Sequence, residues 1–124
     1  MDLAPFLIGV VDDDPRVLES LEELLASGGY QTVLFPSAEA FIDANGLQRV
    51  DCLISDIGMP AKTGLELLHL ARAKRPDLPV ILTTGRDELY QRAKTEGKEA
   101  CRLFRKPFDG TELLATLREV LRDK

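Results

Sequence analysis

Five side chains in this sequence stand where an apolar run stops, and all five suit metal or phosphate chemistry. Asp12 and Asp13 follow Phe6-Leu-Ile-Gly-Val-Val11, and Asp56 follows Cys52-Leu-Ile-Ser55. Thr84 follows Val80-Ile-Leu-Thr83, and Lys106 follows Cys101-Arg-Leu-Phe-Arg105. Carboxylates gathered in a partly desolvated pocket repel one another, and their pKa values rise unless a cation lies among them. A hard divalent ion such as Mg²⁺ removes that conflict, because it takes oxygen ligands and keeps several waters. A threonine hydroxyl and a lysine ammonium complete a set suited to a metal, a phosphoryl group, or both.

The elements that must position these groups are legible from periodicity. Short apolar runs alternate with longer stretches of helical spacing, which predicts repeated βα units and a parallel sheet. The first strand is expected over 6–11. A helix follows, with Asp14 as N-cap and Pro15 at the first helical position, where a missing N–H costs nothing. Its inward stripe is Val17, Leu18, Leu21, Leu24 and Leu25, and Gly28-Gly29 ends it. The second strand is expected over 31–35. A short helix after Ser37 buries Ala38, Phe41 and Ile42 and stops near Asn45-Gly46. The third strand, about 51–55, leads to Asp56 and the loop 57–64. A third helix is expected over 65–75 with Leu67, Leu68 and Ala71 inward, then a strand over 80–84. A fourth helix, about 87–96, offers only Leu89, Tyr90 and Ala93 for burial, which predicts a loosely anchored segment. A fifth strand covers 101–105. The last helix opens with Asp109 and Glu112 in capping-box spacing, and turns Leu113, Leu114, Leu117, Val120 and Leu121 to the core.

Right-handed crossovers and five strands give a doubly wound α/β fold, order 2-1-3-4-5, helices on both faces. Ligands in such sheets bind beyond the carboxyl ends of the strands, where the winding reverses between strands one and three. Asp12, Asp13 and Asp56 end those two strands.

Four motifs in order then resemble a known family across essentially the whole chain. Val-Val-Asp-Asp-Asp-Pro at 10–15, Ser-Asp-Ile-Gly-Met-Pro from 55 with Gly64, Thr-Thr-Gly at 83–85 and Lys-Pro-Phe at 106–108 resemble the receiver domains of two-component response regulators. They are most similar to receivers that precede DNA-binding domains in regulators of the nitrogen-fixation type. The resemblance implies that Asp56 accepts a phosphoryl group from a sensor histidine kinase or a phosphotransfer protein. It implies that Mg²⁺ is the cofactor, with Asp13 as a direct ligand, Asp12 ligating through water, and Asp56 and the Gly58 backbone carbonyl completing the set. Thr84 would then hydrogen-bond a phosphoryl oxygen and Lys106 would reach it as a mobile charge, aimed inward by a cis bond to Pro107. The surface of the fourth helix, fifth strand and last helix would repack and be read by an output partner or a second copy of the chain. Many receivers carry Tyr or Phe three residues before the lysine; here that position is Leu103, followed by Phe104. Gly58 and Arg86 flank the acceptor and Thr84, where side chains influence water access. Asp14 reads as a helix cap, His69 as a surface residue in the third helix, and Met59 as packing under the acceptor loop.

The bulk properties narrow the alternatives. At 124 residues the chain reads as one domain, 1–124. A net charge of -5 argues against direct nucleic-acid binding, which needs a basic patch. Cys52 and Cys101 lie in apolar runs and read as small hydrophobes. Neither a secretory signal nor an apolar run of roughly 20 residues is present, so a cytoplasmic location without membrane contact is expected. Two rivals remain beside the signalling phosphoacceptor, which is not a multiple-turnover enzyme. A phosphorylation-independent interaction module would bind its partner unaffected by Asp56→Asn. An Mg²⁺-dependent aspartyl phosphohydrolase would need a second acid two residues after its nucleophile, and position 58 is glycine. A flavin site, the other use of this sheet order, conflicts with a carboxylate-lined crevice that repels the cofactor's phosphate.

Overall fold

The computed structural model describes residues 5–58, 64–86, 90–91 and 102–122. Five strands, β1 (Leu7–Val11), β2 (Gln31–Phe35), β3 (Cys52–Asp56), β4 (Val80–Thr84) and β5 (Arg102–Arg105), form one sheet in the order β2-β1-β3-β4-β5. Every neighbouring pair is parallel. Successive residues therefore alternate between two covered faces, and β3 and β4 are buried at every position.

Each face has its own core. On one, Ile8, Val10, Cys52, Ile54 and Ile81 meet Leu18, Leu21 and Leu25 of α1 (Pro15–Ser27) and Leu113, Leu117 and Leu121 of the C-terminal helix (Gly110–Leu121). On the other, Val11, Leu53, Val80 and Leu82 meet α2 (Ala38–Asp43), α3 (Gly46–Arg49) and α4 (Gly64–Lys74) through Phe41, Leu47, Leu67, Leu68 and Ala71. The C-terminal helix is α5 in chain order among the described elements. The fourth helix expected over 87–96 lies outside the described residues except for Tyr90 and Gln91, as do Met59, Leu89, Ala93 and Cys101.

Local chemistry explains the boundaries. Asp14 caps α1 by accepting a hydrogen bond from the Arg16 amide at 2.9 Å, with Pro15 in the first turn. The chain leaves α1 through Gly29, whose φ of 90° is open to glycine at little cost. Ser37 caps α2 by accepting from the Ala40 amide at 3.0 Å, and Asp109 caps α5 by accepting from the Thr111 amide at 2.8 Å. One element departs from the sequence reading. α2 stops at Asp43, just short of Asn45-Gly46 as expected, but a further short helix follows that the sequence reading lacked. Asn45 adopts the left-handed conformation, φ 59° and ψ 39°, and α3 begins at the next residue. Arg75 then ties the end of α4 to this region, its guanidinium donating to the carbonyls of Leu47 (2.7 Å) and Val50 (2.5 Å).

Candidate functional site

The crevice lies where β1 and β3 run side by side. Their register pairs Val11 with Ser55, so the next residues, Asp12 just past β1 and Asp56 at the end of β3, stand at one level. Asp12, Asp13 and Asp56 each offer a carboxylate oxygen within 4.8 Å of the other two. Asp12 is 2% and Asp56 8% exposed, whereas Asp13 faces solvent. Such a donor set fits a hard divalent cation: all ligands are oxygen, their charge is unbalanced, and the open side at Asp13 leaves room for retained waters.

Lys106 enters the same space from the end of β5. Its backbone N–H donates to the Thr84 carbonyl at 2.7 Å, and its bond to Pro107 is cis, as expected. The ammonium donates to Asp12 Oδ2 at 2.8 Å and stands 3.8 Å from Asp56 Oδ2. The other oxygen of Asp12 accepts the Asp14 amide at 2.9 Å, so both its oxygens are engaged. Asp56 Oδ1 accepts the Gly58 amide at 3.1 Å, a local turn from the end of β3 to Gly58. Burial is the largest influence on Asp56 and raises its pKa above the ordinary value of 3.8. The Gly58 amide and Lys106 oppose the rise, and Asp12 and Asp13 add to it.

Thr84 ends β4 and is fully buried. Its hydroxyl oxygen accepts the Arg86 amide at 3.0 Å. Asp56 is paired in register with Thr83, not Thr84, and Thr83 stands two residues after Ile81, which lies in the core against α1 and α5. The alternation anticipated for Thr83 and Thr84 therefore follows from the sheet. Leu103 packs with the core facing α2, α3 and α4, and Phe104 with the opposite one, in edge contact with Phe108 at 5.7 Å between ring centroids. Asp14 is engaged as a cap and pairs with Arg16 at 3.3 Å. His69 is exposed on α4.

Two features were not legible from spacing. The sequence directed Lys106 toward a phosphoryl group, and the structure seats it on Asp12; choosing between two carboxylates takes ångström-scale positions that spacing does not carry. A groove of about 530 Å³ also runs beside Lys106, between α1 and the start of α5, lined by Val17, Leu21, Leu24, Pro107 and Phe108. Val17 and Leu24 look like ordinary core positions in the sequence, because their helical spacing matches that of the buried leucines.

Comparison with known proteins adds to this geometry. The family model for the response regulator receiver domain matches residues 8–118. Transcriptional regulatory protein FixJ of Bradyrhizobium diazoefficiens is 33% identical over 115 residues, covering 93% of this chain and 56% of that protein. Response regulator MprA of Mycobacterium avium is 37% identical over 113 residues, covering 91% of this chain and 50% of that protein. The chain thus spans about half the length of the curated relatives it matches. A response regulator receiver domain from Clostridium thermocellum superposes with a TM-score of 0.85 at 25% identity, covering 95% of both chains. Among the described residues, no helix is long and apolar enough to cross a membrane.

Proposed function

The chain belongs to the response regulator receiver domain family, and from that premise we propose that Asp56 is its phosphoacceptor, served by a sensor histidine kinase or a phosphotransfer protein. The observation that carries this reading is the convergence of Asp12, Asp13, Asp56 and the Lys106 ammonium at the carboxyl ends of β1 and β3. Phosphoryl transfer depends chiefly on positioning and charge neutralisation, and aspartate is an established nucleophile for it. An Asp56 carboxylate oxygen attacks the phosphorus of the donor phosphohistidine. A P–O bond forms as the P–N bond breaks, and the bonding pair leaves on the imidazole nitrogen. Asp12, Asp13, Asp56 and the Gly58 carbonyl would hold Mg²⁺, which when bound neutralises charge on the transferred oxygens.

The remaining roles belong to the chain itself. Lys106, 3.8 Å from Asp56, supplies a positive charge that moves toward the phosphoryl group. The Thr84 hydroxyl, which in this state accepts from Arg86, turns to donate to a phosphoryl oxygen. Both moves displace the ends of β4 and β5, so the population of surface arrangements shifts over the segment 87–96, β5 and α5. An output partner or a second copy of the chain reads that face. The names of the full-length relatives point to transcriptional output carried by further sequence, with no nucleic-acid contact by this acidic receiver. A cytoplasmic site of action goes with such a role.

Incubation with acetyl phosphate and Mg²⁺, followed by intact-mass spectrometry, tests the proposal. One phosphoryl adduct is expected, absent when Mg²⁺ is chelated and absent in Asp56→Asn. An adduct retained in Asp56→Asn contradicts it.

A further inference from the structure

We propose that Phe108 is a two-position gate on the face between α1 and α5. It lies against Phe104 in the unmodified chain and turns into the neighbouring groove once Asp56 is phosphorylated, a change that rests on Asp56 being the phosphoacceptor. Phe104 and Phe108 stand two residues before and two residues after Lys106. Their rings meet edge to face, with centroids 5.7 Å apart and planes at 70°. Both pack against the core that α1 and α5 share. Leu103, which packs with the opposite core, carries no ring. The rings that flank the lysine therefore face α1 and α5, and not the helices on the other side of the sheet.

A ring acts as a gate only if it has a second place to lie. Phe108 has one. It is partly buried and lines the groove of about 530 Å³, together with Val17 and Leu24 of α1 and Lys106 itself. Those α1 side chains are apolar, so a ring turning in exchanges one apolar contact for others and desolvates no polar group. Lys106 decides between the two positions. Its side chain borders the groove while its ammonium reaches the crevice, and its amide is hydrogen-bonded to the Thr84 carbonyl at 2.7 Å. When the ammonium is drawn onto a phosphoryl group and Thr84 turns the same way, the linked ends of β4 and β5 shift with them. The backbone joining Phe104 to Phe108 is then displaced at its midpoint. A gap of about 0.5–1 Å already forfeits a quarter to a half of a close apolar contact, so a small displacement opens the ring pair and Phe108 takes the groove. The face between α1 and α5 is grooved in the unmodified chain and filled in the phosphorylated one.

NMR with ring-¹³C phenylalanine and methyl-labelled valine and leucine tests the gate, using beryllofluoride with Mg²⁺ as a lasting phosphoryl mimic whose binding is read from its ¹⁹F resonances. A cross-peak between the Phe104 and Phe108 rings is expected without the mimic. With the mimic bound it should be lost, while cross-peaks from Phe108 to the Val17 and Leu24 methyls strengthen severalfold. Ser20 is exposed on α1 and lines the groove, so Ser20→Trp fills the space and should keep the rings paired with the mimic bound. Phe104→Leu removes the first position and should strengthen the Phe108 methyl cross-peaks without any mimic. Circular dichroism verifies the folding of both variants. Bound mimic with the Phe104–Phe108 cross-peak intact, or a loss in Ser20→Trp as complete as in the parent, overturns the gate and leaves the phosphoacceptor reading standing. A mimic that does not bind, or that binds undiminished to Asp56→Asn, overturns both.

Discussion

Asp56 is held in a balance that burial wins. Its carboxyl is raised above 3.8 chiefly by burial, with Asp12 and Asp13 adding to the rise and the Gly58 amide and Lys106 opposing it. The folded chain therefore binds more protons at Asp56 than the unfolded chain does between the two pKa values. The stability this contributes is fully present below 3.8, the unfolded value, and is lost as pH rises through the higher folded value. At neutral pH the ionised carboxylate burdens the metal-free fold, so Asp56→Asn should melt at a higher temperature than the parent in chelator. The difference should shrink as the pH is lowered toward 4, roughly the ordinary carboxylate value; a lower melting temperature for Asp56→Asn at pH 7 contradicts the reading. Thr84 gives a second test at this scale. Thr84→Val keeps the shape but leaves the Arg86 amide without its acceptor, and should cost about 1 kcal/mol in urea unfolding at an unchanged m-value. The carboxylates and the lysine were legible because each ends an apolar run. The partner of each was not, since hydrogen bonds such as Arg86 to Thr84 are set by loop geometry.

Strands and long helices followed the periodicity closely. β2 and β4 have the bounds that composition implied, and α1 stops at Ser27, ahead of Gly28-Gly29. The third strand extends one residue further than expected, so Asp56 is its last residue and is anchored by the ladder rather than by a loop. The miss at α3 has a definite cause. Asn-Gly is a strong turn signal, yet here a single left-handed Asn45 lets a second short helix begin at Gly46. Gly46 is required there because a side chain would run into the Phe41 ring. Gly46→Ala should therefore destabilise the fold by roughly 1–3 kcal/mol in denaturant unfolding. A neutral effect would show that Phe41 repacks freely.

Over the whole molecule, topology places the chemistry. The order β2-β1-β3-β4-β5 puts β1 and β3 at the centre, so residues separated by 44 positions of sequence, Asp12 and Asp56, arrive at one crevice. That convergence was implied by five βα units and the handedness of their crossovers. The groove beside Lys106 was not, because it depends on how far α1 and α5 stand apart. An acyl phosphate formed at the crevice is reduced by borohydride, which converts the modified aspartate to homoserine. Peptide mapping after acetyl phosphate, Mg²⁺ and borohydride therefore reads the acceptor directly. The account predicts homoserine at position 56 alone and only when Mg²⁺ is present; conversion at Asp12 or Asp13, or at position 56 without metal, would contradict it.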